Sequence, residues 1–308
     1  MAGSTATSNA TSTATSMALW TIGHDGSDNA SHAAMWALAQ AAGRSVDVSI
    51  VRGRGIPALE LPLPSGSEPT VANVANVGEV AEGAEVRVCD DFDELLAAAR
   101  AGGVSLAERV VGGPATLTLL EESEKGALLV VGSRGLGGFK RLLLGSVSTQ
   151  CATHSRVATV VVPRSAAVGR AQRIVVGVDG SQGSQRALRW ALDFAPKGSD
   201  IMVVGAWMPS KSGFIAVVQH YTNELDQARA HFNEVLDAVE ADVGSQQFER
   251  RFDYGDPASA LLEASAEADL VVVGQRGHSA LGAAILGSVS THVLHRSAIA
   301  VAVIPDLD

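Results

Sequence analysis

A glycine-containing motif occurs twice in this chain, and its spacing is the same in both copies. Residues 130–148 read VVGSRGLGGFKRLLLGSVS, and residues 272–290 read VVGQRGHSALGAAILGSVS. Each copy has the pattern Gly-x2-Gly-x9-Gly-Ser, and equivalent positions lie 142 residues apart. Because an unstructured linker has no reason to preserve such spacing, the motif predicts a tandem of two folded repeats of the same kind.

A second shared segment marks where each repeat begins. Residues 19–27 and 173–181 both start with an apolar run and end in Asp-Gly-Ser, which aligns Asp25 with Asp179. A chain of 308 residues is long enough for two domains of this size, each with its own core. We therefore expect a disordered Ser/Thr/Ala-rich tail over residues 1–16, a first domain over 17–165, a linker over 166–172 and a second domain over 173–308.

Apolar runs alternate with helical patterns in the second repeat. Strands are predicted at residues 174–178, 201–206, 270–273 and 299–304, with a weaker one at 248–252, and helices at 182–192, 217–243, 257–268 and from 287 onward. Continuous apolar, β-branched strands separated by helices indicate a parallel sheet covered on both faces. We expect Ser181 or Ser184 to cap the first helix, and Pro257 to open a later helix, with Pro114 as its equivalent.

The first repeat follows the same plan less regularly. Its predicted strands are at residues 46–51, 104–111 and 128–131, after an opening strand at residue 19, and its clearest helix is at 91–101. Residues 52–76 are irregular and rich in Gly and Pro, and residues 84–89 fit either a helix or a strand. This region makes the first repeat longer than the second between the two shared segments.

Charge and cysteine content restrict the classes of function. The formal net charge of −10 argues against nucleic acid or an anionic membrane as the main partner. Cys89 and Cys151 do not form a metal-binding pattern, and we interpret them as ordinary thiols. There is no apolar run long enough to span a bilayer and no secretion signal, so we expect a cytoplasmic protein.

The two shared segments of each repeat are expected to meet at one edge of the sheet. Ligands of open parallel sheets bind at the carboxyl ends of strands, where the strand order reverses. Asp25 and Asp179 follow the first strands, and Gly132 and Gly274 end the fourth strands. Since backbone N–H groups of a glycine loop and a helix start bind phosphates, we predict a nucleotide crevice in each repeat.

Each element taken alone has a simpler explanation. Asp179 could serve only the turn, Ser146 could be only a helix cap, and Arg134 could be a solvated loop charge. The joint recurrence of these elements favours nucleotide binding. The histidines do not recur at equivalent positions, so we interpret them as surface or core residues rather than a catalytic set: His24, His154, His278, His292 and His295.

The two Gly-x2-Gly-x9-Gly-Ser motifs, with the start VGVDGS of the second repeat, resemble the ATP-binding signature of the universal stress protein family. The resemblance covers about residues 19–305, as two fused copies. It implies that each domain is a Rossmann-like (adenine nucleotide alpha hydrolase-like) five-stranded parallel sheet of order 3-2-1-4-5 with helices on both faces. It also implies dimerisation through the fifth strand, either between two chains or, as a pseudo-dimer, between the two repeats.

The same resemblance implies the site residues and ATP, alone or with Mg²⁺, as the ligand. Asp25 and Asp179 would lie beside the adenosine, and the backbone of Val204 beside adenine, with its counterpart near Ile50 or Val51. The phosphate and ribose side would be Gly132, Arg134, Gly135, Gly145, Ser146, Val147 and Ser148 in the first repeat and Gly274, Arg276, Gly277, Gly287, Ser288, Val289 and Ser290 in the second.

The sequence departs from the family pattern on the adenine side of the first repeat. His24 replaces the valine found at position 178, and the irregular segment follows Arg52. Both departures predict weaker adenine binding in the first repeat than in the second. The proline that commonly precedes the fifth strand is Ala158 in one repeat and Ala300 in the other, which we expect to matter little.

The function expected from the sequence is ATP binding with a regulatory role in the stress response. Two alternatives remain: a slow ATPase that phosphorylates itself at Ser146, Ser148, Ser288 or Ser290, and an interaction module with vestigial pockets. There is no P-loop lysine motif, and Lys140 has no counterpart in the second repeat. The motifs of ATP pyrophosphatases (Ser-Gly-Gly-x-Asp-Ser) and nucleotidyl transferases (His-x-Gly-His) do not occur either. The sequence indicates no particular downstream partner.

Overall fold

The computed structural model describes residues 18–54, 91–135, 144–208, 218–243, 247–277 and 285–306. Several predictions fall outside these residues: the tail at 1–16, most of the irregular segment at 52–76, the segment at 84–89, and the side chains of Cys89, Lys140 and His278.

The first repeat forms a five-stranded parallel sheet. Its elements are β1 (Ala18–Gly23), α1 (Asp28–Ala41), β2 (Val46–Arg54), α2 (Phe92–Gly102), β3 (Ser105–Gly112), α3 (Ala115–Ser123), β4 (Leu128–Gly132), α4 (Ser146–His154) and β5 (Ala158–Val162). The strand order is β3-β2-β1-β4-β5, and β1 pairs in parallel with both β2 and β4. The order therefore reverses between β1 and β4, as predicted.

The second repeat has the same topology. Its elements are β6 (Arg173–Gly177), α5 (Gln182–Phe194), β7 (Asp200–Trp207), α6 (Val218–Val243), β8 (Glu249–Tyr254), α7 (Pro257–Ala264), a 3-10 turn (Ser265–Glu267), β9 (Leu270–Gly274), α8 (Ser288–Arg296) and β10 (Ala300–Ile304). The order β8-β7-β6-β9-β10 is again 3-2-1-4-5. The predicted fold class is confirmed for both repeats.

The two sheets join edge to edge into one ten-stranded sheet. Strands β5 and β10 pair antiparallel, with Val161 opposite Val301 and Thr159 opposite Val303. The contact that the resemblance places between two subunits is thus made inside this chain. Because the directions of β5 and β10 are opposed, the carboxyl ends of the strands lie on opposite edges of the joined sheet in the two repeats.

Both faces of the sheet are covered by helices. Successive residues of β4 belong to different cores. Val130 belongs to the core that includes Trp36 and Leu188, and Val131 belongs to the core that includes Leu119. All these side chains are buried. Each buried side chain of this size contributes about 1.5–3 kcal/mol, so the continuous apolar runs account for the fold.

The segment between the repeats, residues 166–172, packs against α1. Gln40 is fully buried, its Oε1 accepts from the Ala171 N–H at 3.0 Å, and its Nε2 donates to the Gly169 carbonyl. Ala166 and Ala171 are buried as well. The predicted linker is therefore anchored to the first repeat by a buried amide.

Two helix ends differ from prediction, and at a third the simpler explanation of Ser146 as a cap does not hold. Gly145 is the N-cap of α4, and no side chain caps this helix. Pro114 is an N-cap, whereas Pro257 is the first residue of α7 and follows its N-cap Asp256, so the two prolines are not equivalent. The helix predicted to reach residue 268 ends at Ala264 because a 3-10 turn takes over. Ser181 caps α5 as predicted, accepting from the Ser184 N–H at 3.1 Å.

Candidate functional site

The turn after the first strand has the same geometry in both repeats. Asp25 Oδ1 accepts from the Ser27 N–H at 3.0 Å, and Asp179 Oδ1 accepts from the Ser181 N–H at 3.0 Å. The intervening glycines have φ of 87° and 89°, a left-handed conformation that favours glycine. The turn therefore holds one oxygen of each aspartate and fixes the direction of the other.

The second oxygen of each aspartate lies against the second glycine of the loop. A Cβ added to Gly135 would overlap Asp25 Oδ2, and one added to Gly277 would overlap Asp179 Oδ2. Only a glycine lets the carboxylate lie this close to the loop. The structure thus brings together, in both repeats, the two sequence segments that the prediction placed in one crevice.

In the first repeat the loop returns to the end of β4 and starts α4. The Gly145 N–H donates to the Ser133 carbonyl at 2.8 Å, and the first helical bond runs from the Thr149 N–H to the Gly145 carbonyl at 3.1 Å. The amides of the three residues before Thr149 consequently have no carbonyl within the helix to accept their hydrogen bonds. They are those of Ser146, Val147 and Ser148, and they form the positive end of the helix dipole.

The second repeat repeats this arrangement. The Gly287 N–H donates to the Gln275 carbonyl at 2.9 Å, and the Thr291 N–H donates to the Gly287 carbonyl at 2.8 Å. The amides at the start of α8 are those of Ser288, Val289 and Ser290. Gly132 and Gly274 end the strands that lead into the two loops. Both loops therefore present a helix N-terminus suited to an anion.

The four predicted serines divide into two kinds. Ser148 is buried, and its Oγ donates to the carbonyls of Ser133 at 3.2 Å and Gly145 at 3.0 Å. Ser290 is also buried, and its Oγ donates to the Gly274 carbonyl at 2.6 Å. Ser146 and Ser288 are exposed. The buried serines stabilise the loops through hydrogen bonds to backbone carbonyls. The exposed serines present their hydroxyl groups at the N-termini of α4 and α8.

A cavity of about 470 Å³ lies at the carboxyl ends of the first repeat's strands. Its size is within the range of small-molecule sites, roughly 300–1,000 Å³. The predicted loop and turn residues of this repeat all line it: Asp25, Gly132, Arg134, Gly135, Gly145, Ser146, Val147 and Ser148. The remaining wall is mostly apolar and includes Val51, Ala115 and Leu119.

Sequence analysis missed part of this wall. Gly53 lines the cavity, and a Cβ there would be 3.0 Å from the Ala115 Cα, so the end of β2 approaches the start of α3 closely. The strand register aligns Val51 with Val204, because these residues pair with Gly23 and Gly177 respectively. Gly53 therefore corresponds to Ala206. The sequence did contain a signal for this residue, because Gly53 lies two positions after Val51, the predicted adenine contact.

His24 is a buried residue of the cavity wall. Its Nδ1 accepts from the Gly26 N–H at 3.1 Å, and its Nε2 lies 3.2 Å from Ser31 Oγ. Burial lowers the pKa of His24 and Arg52 lowers it further, while Asp91 and Asp25 oppose the shift. A backbone N–H can only donate, so Nδ1 carries no proton and the imidazole is neutral. His24 is thus a core residue, one of the two places that the sequence analysis allowed for it, and it lies on the side of the crevice where the sequence departs from the family pattern.

The loop arginines have different neighbours in the two repeats. Arg276 Nε lies 3.4 Å from Asp306 Oδ2, and Asp306 Oδ1 also pairs with Arg186 at 2.6 Å. The position equivalent to Asp306 in the first repeat is Arg164. Arg134 is exposed and lines the cavity. The acidic partner of the loop arginine in the second repeat is therefore replaced by an arginine in the first.

A family model described as the universal stress protein family matches residues 21–163 and 170–305. The chain belongs to the universal stress protein family. A universal stress protein of Mycobacterium tuberculosis (strain ATCC 25618 / H37Rv) is 29% identical over 304 residues, covering 92% of this chain and 95% of that protein. One from Mycolicibacterium smegmatis is 31% identical over 179 residues, covering 57% of this chain and 60% of that protein.

The fold is shared with solved members of the family. The crystal structure of a universal stress protein from Archaeoglobus fulgidus DSM 4304 superposes with a TM-score of 0.58 at 18% identity. It covers 93% of this chain and 98% of the archaeal chain. The two chains therefore share their fold over most of their lengths.

The part of the chain that the structure describes was also searched for a membrane-spanning helix, a metal site and a reactive cysteine. Within it, no helix has the length and apolar character needed to cross a membrane. The same residues contain no group of three or more His, Cys, Asp or Glu side chains placed to hold a metal ion. Cys151 is buried, and burial raises the pKa of its thiol to about 12, which makes it a poor nucleophile.

Proposed function

We propose that this universal stress protein binds ATP in the crevice of each repeat and acts as a nucleotide-dependent regulator in the cytoplasm. The observation that carries the proposal is the contact between the first-strand aspartate and the second loop glycine, Asp25 with Gly135 and Asp179 with Gly277. This contact places a carboxylate, which accepts hydrogen bonds, beside the loop that leads to a helix N-terminus. A nucleoside polyphosphate can use the carboxylate for its nucleoside and the helix N-terminus for its phosphates.

The proposed roles follow from the chemistry of each wall. The carboxylates of Asp25 and Asp179 accept hydrogen bonds from nucleoside hydroxyl or amino groups. The amides at the starts of α4 and α8, with Arg134 and Arg276, bind the phosphates. The apolar wall of the first cavity, about 470 Å³ in volume, has room for the base beside Val51. When bound with ATP, Mg²⁺ would supply neutralising charge for the phosphates, and Asp25 would be the carboxylate at this wall available to hold it.

Binding is better supported than hydrolysis. Both nitrogens of His24 are engaged, by the Gly26 N–H and by Ser31, so this residue is not poised as a general base. The exposed hydroxyls of Ser146 and Ser288 are the acceptors that self-phosphorylation would use. We assign the chain a regulatory role in which occupancy of the crevices, rather than turnover, is the signal.

The proposed working form is a pseudo-dimer within one chain. The β5–β10 pairing already uses the fifth-strand edge of each repeat. A homodimer would therefore need a different surface. We propose that the downstream partner is a protein that distinguishes the ATP-bound from the ATP-free chain.

The double substitution Gly135→Val with Gly277→Val tests the proposal. Each side chain would enter the space of Asp25 or Asp179 and displace the carboxylate from the crevice. We expect isothermal titration calorimetry to show ATP binding to the natural chain and at least a 100-fold loss of affinity in the double variant.

Gly169→Val is the matched control. A Cβ at Gly169 meets nothing within 4 Å, and the residue lies in the segment between the repeats. We expect this variant to keep both ATP affinity and melting temperature. Unchanged ATP affinity in a folded double variant would place the site elsewhere, and absence of saturable binding to the natural chain at millimolar ATP would favour the vestigial-pocket alternative.

A further inference from the structure

Gln275 is a buried residue of the glycine loop that follows β9 in the second repeat. Its backbone N–H donates to the Ile304 carbonyl at the end of β10 at 2.7 Å, and its own carbonyl accepts from the Gly287 N–H at 2.9 Å. The backbone of Gln275 therefore joins the two ends of the loop to each other and to the neighbouring strand. A buried side-chain amide also needs hydrogen-bond partners of its own.

The side chain of Gln275 finds these partners across the joint between the repeats and next to it. Its Nε2 donates to the carbonyls of Ala152 at 3.2 Å and Thr153 at 2.6 Å, which belong to the last turn of α4 in the first repeat. Its Oε1 accepts from the Asp306 N–H at 3.4 Å. Carbonyl oxygens only accept and backbone N–H groups only donate, so these partners fix the orientation of the amide. The loop of the second repeat is thus bonded to a helix of the first repeat.

Helix α4 contacts both crevices, one at each end. The last four carbonyls of a helix have no N–H partner within it, and those of Ala152 and Thr153 are among them because α4 ends at His154. Gln275 supplies a donor there, at the negative end of the helix dipole. The N-terminus of α4, at Ser146, borders the first cavity. One helix of nine residues therefore lies between the first crevice and the loop of the second.

The equivalent residue of the first loop is bonded within its own repeat. Ser133 occupies the position of Gln275, and its Oγ accepts from Asn29 Nδ2 of α1 at 3.5 Å. The equivalent of Asn29 in the second repeat is Gly183, where a Cβ would lie 2.6 Å from Asp306 Oδ1. A side chain on α5 therefore does not fit where it could hold the second loop in the same manner. At this position the first loop is supported from within its repeat, and the second is supported from across the joint.

We propose that Gln275 is a positioning residue of the second nucleotide crevice, and that the first repeat controls the ATP affinity of the second repeat through it. The inference rests on the proposed function, since it concerns the same crevice. Gln275 lies between Gly274 and Arg276, so its bond to α4 sets where the backbone and the arginine of the loop lie relative to the phosphates. The first crevice has a serine at this position, and we expect it to bind ATP independently of the bridge.

The test measures ATP binding at each crevice separately by titration calorimetry. Gly135→Val leaves the second crevice available, and Gly277→Val leaves the first. Gln275→Ser installs the residue that the first repeat has at this position. We expect it to weaken ATP binding at least 10-fold in the Gly135→Val chain and less than 3-fold in the Gly277→Val chain. A general loss of stability would lower both affinities alike.

Gln275→Glu isolates the donated hydrogen bonds from the rest of the side chain. It has the same shape and keeps an acceptor for the Asp306 N–H, but its carboxylate repels the carbonyls of Ala152 and Thr153. We expect ATP binding to Gly135→Val with Gln275→Glu to be at least 10-fold weaker at pH 8 than binding to Gly135→Val alone. The difference should narrow as the pH falls to 5.5, because burial and the two carbonyls favour the protonated carboxyl group, which can donate again. Both chains are measured at each pH, so that protonation of ATP affects them equally.

Ser165→Ala is the matched control. The Ser165 Oγ donates to the Ala298 carbonyl at 2.6 Å, which is also a hydrogen bond between a side chain of one repeat and the backbone of the other. This bond involves neither glycine loop. We expect the variant to leave both ATP affinities unchanged.

Two results would overturn the positioning role while leaving ATP binding in place. One is an affinity of the second crevice that Gln275→Ser and Gln275→Glu leave unchanged. The other is equal weakening of the two crevices by Gln275→Ser. If circular dichroism shows that Gln275→Ser is unfolded, the pH profile of Gln275→Glu decides: recovery at low pH supports the role, and its absence overturns it. Absence of ATP binding to the natural chain would instead overturn the proposed function, and this role with it.

Discussion

In the first repeat the residues after Val51 are Arg52 and Gly53, and His24 precedes the aspartate; in the second repeat the equivalent residues are Gly205, Ala206 and Val178. The loops on the other side of the crevices share their spacing, the backbone hydrogen bonds that close them and a buried serine. In the proposed binding mode the phosphates meet backbone amides of the loops, which do not depend on the neighbouring side chains. The proposed nucleoside wall includes side chains that differ between the repeats, so we expect the two crevices to bind one ligand class with different affinities.

The largest expected difference between the two crevices is in ATP binding by the two single glycine variants. Gly135→Val and Gly277→Val should each reduce the stoichiometry of ATP from two per chain to one, because each displaces one aspartate. The regular adenine side of the second repeat predicts that Gly277→Val removes the tighter site. Titration calorimetry of both variants measures this directly, and loss of the tighter site in Gly135→Val would reverse the order.

The buried serines give an intermediate effect on stability. Ser148→Ala removes the hydroxyl that donates to two carbonyls of its loop, and we expect the free energy of unfolding to fall by about 1–2 kcal/mol. Ser290→Ala removes one such bond and should cost about 1 kcal/mol. The exposed Ser146 is the control, with an expected change below about 0.5 kcal/mol on alanine substitution. Urea denaturation provides the values, and equal effects at Ser146 and Ser148 would contradict the assigned roles.

The smallest expected effect is a pH dependence confined to the first crevice. Burial lowers the pKa of His24 in the folded chain below its unfolded value of about 6.5. Below pH 6.5 the unfolded chain therefore binds a proton that the folded chain does not, and stability falls until the folded pKa is passed. The contribution is fully present above pH 6.5.

His24→Asn keeps an acceptor for the Gly26 N–H but does not titrate. We expect melting curves between pH 7.5 and 5.5 to show a shallower loss of stability in this variant than in the natural chain. Asp91, Arg52 and Asp25 are the charged groups that act on the pKa of the imidazole. Identical pH profiles would show that His24 is not the titrating group.

The central strands and the repeated motif could be predicted because their determinants are local. Strands β4 and β9 were predicted to within one residue, since strands buried on both faces read as uninterrupted apolar runs. The edge strand β8 was the weakest prediction because its side chains are only partly buried. Helix ends were less accurate: the caps Gly145 and Pro114 have no side-chain hydrogen bond that a sequence pattern would reveal.

The wall of the first cavity could be predicted only in part, since Val51 was expected there but Gly53 and Ala115 were not. Asp25 and Gly135 were assigned by recurrence, whereas Gly53 and Ala115 line the cavity only because β2 and α3 converge in three dimensions. The different charge at the ends of β5 and β10 was missed for a related reason. Aligning Arg164 with Asp306 reveals a charge reversal, but its meaning depends on the β5–β10 joint that brings the two repeats together.

That joint also sets an order of events during synthesis. Strand β5 belongs to the first repeat, yet its partner β10 is made only after all the other strands of the second repeat. N-terminal portions of a chain fold first as they emerge, so the nascent first repeat carries an uncovered apolar strand edge, with Val160 and Val161 along it. Such an edge can recruit a neighbouring nascent chain. The covalent tether keeps the chain's own β10 at high effective concentration, which favours closure within one molecule over assembly between molecules.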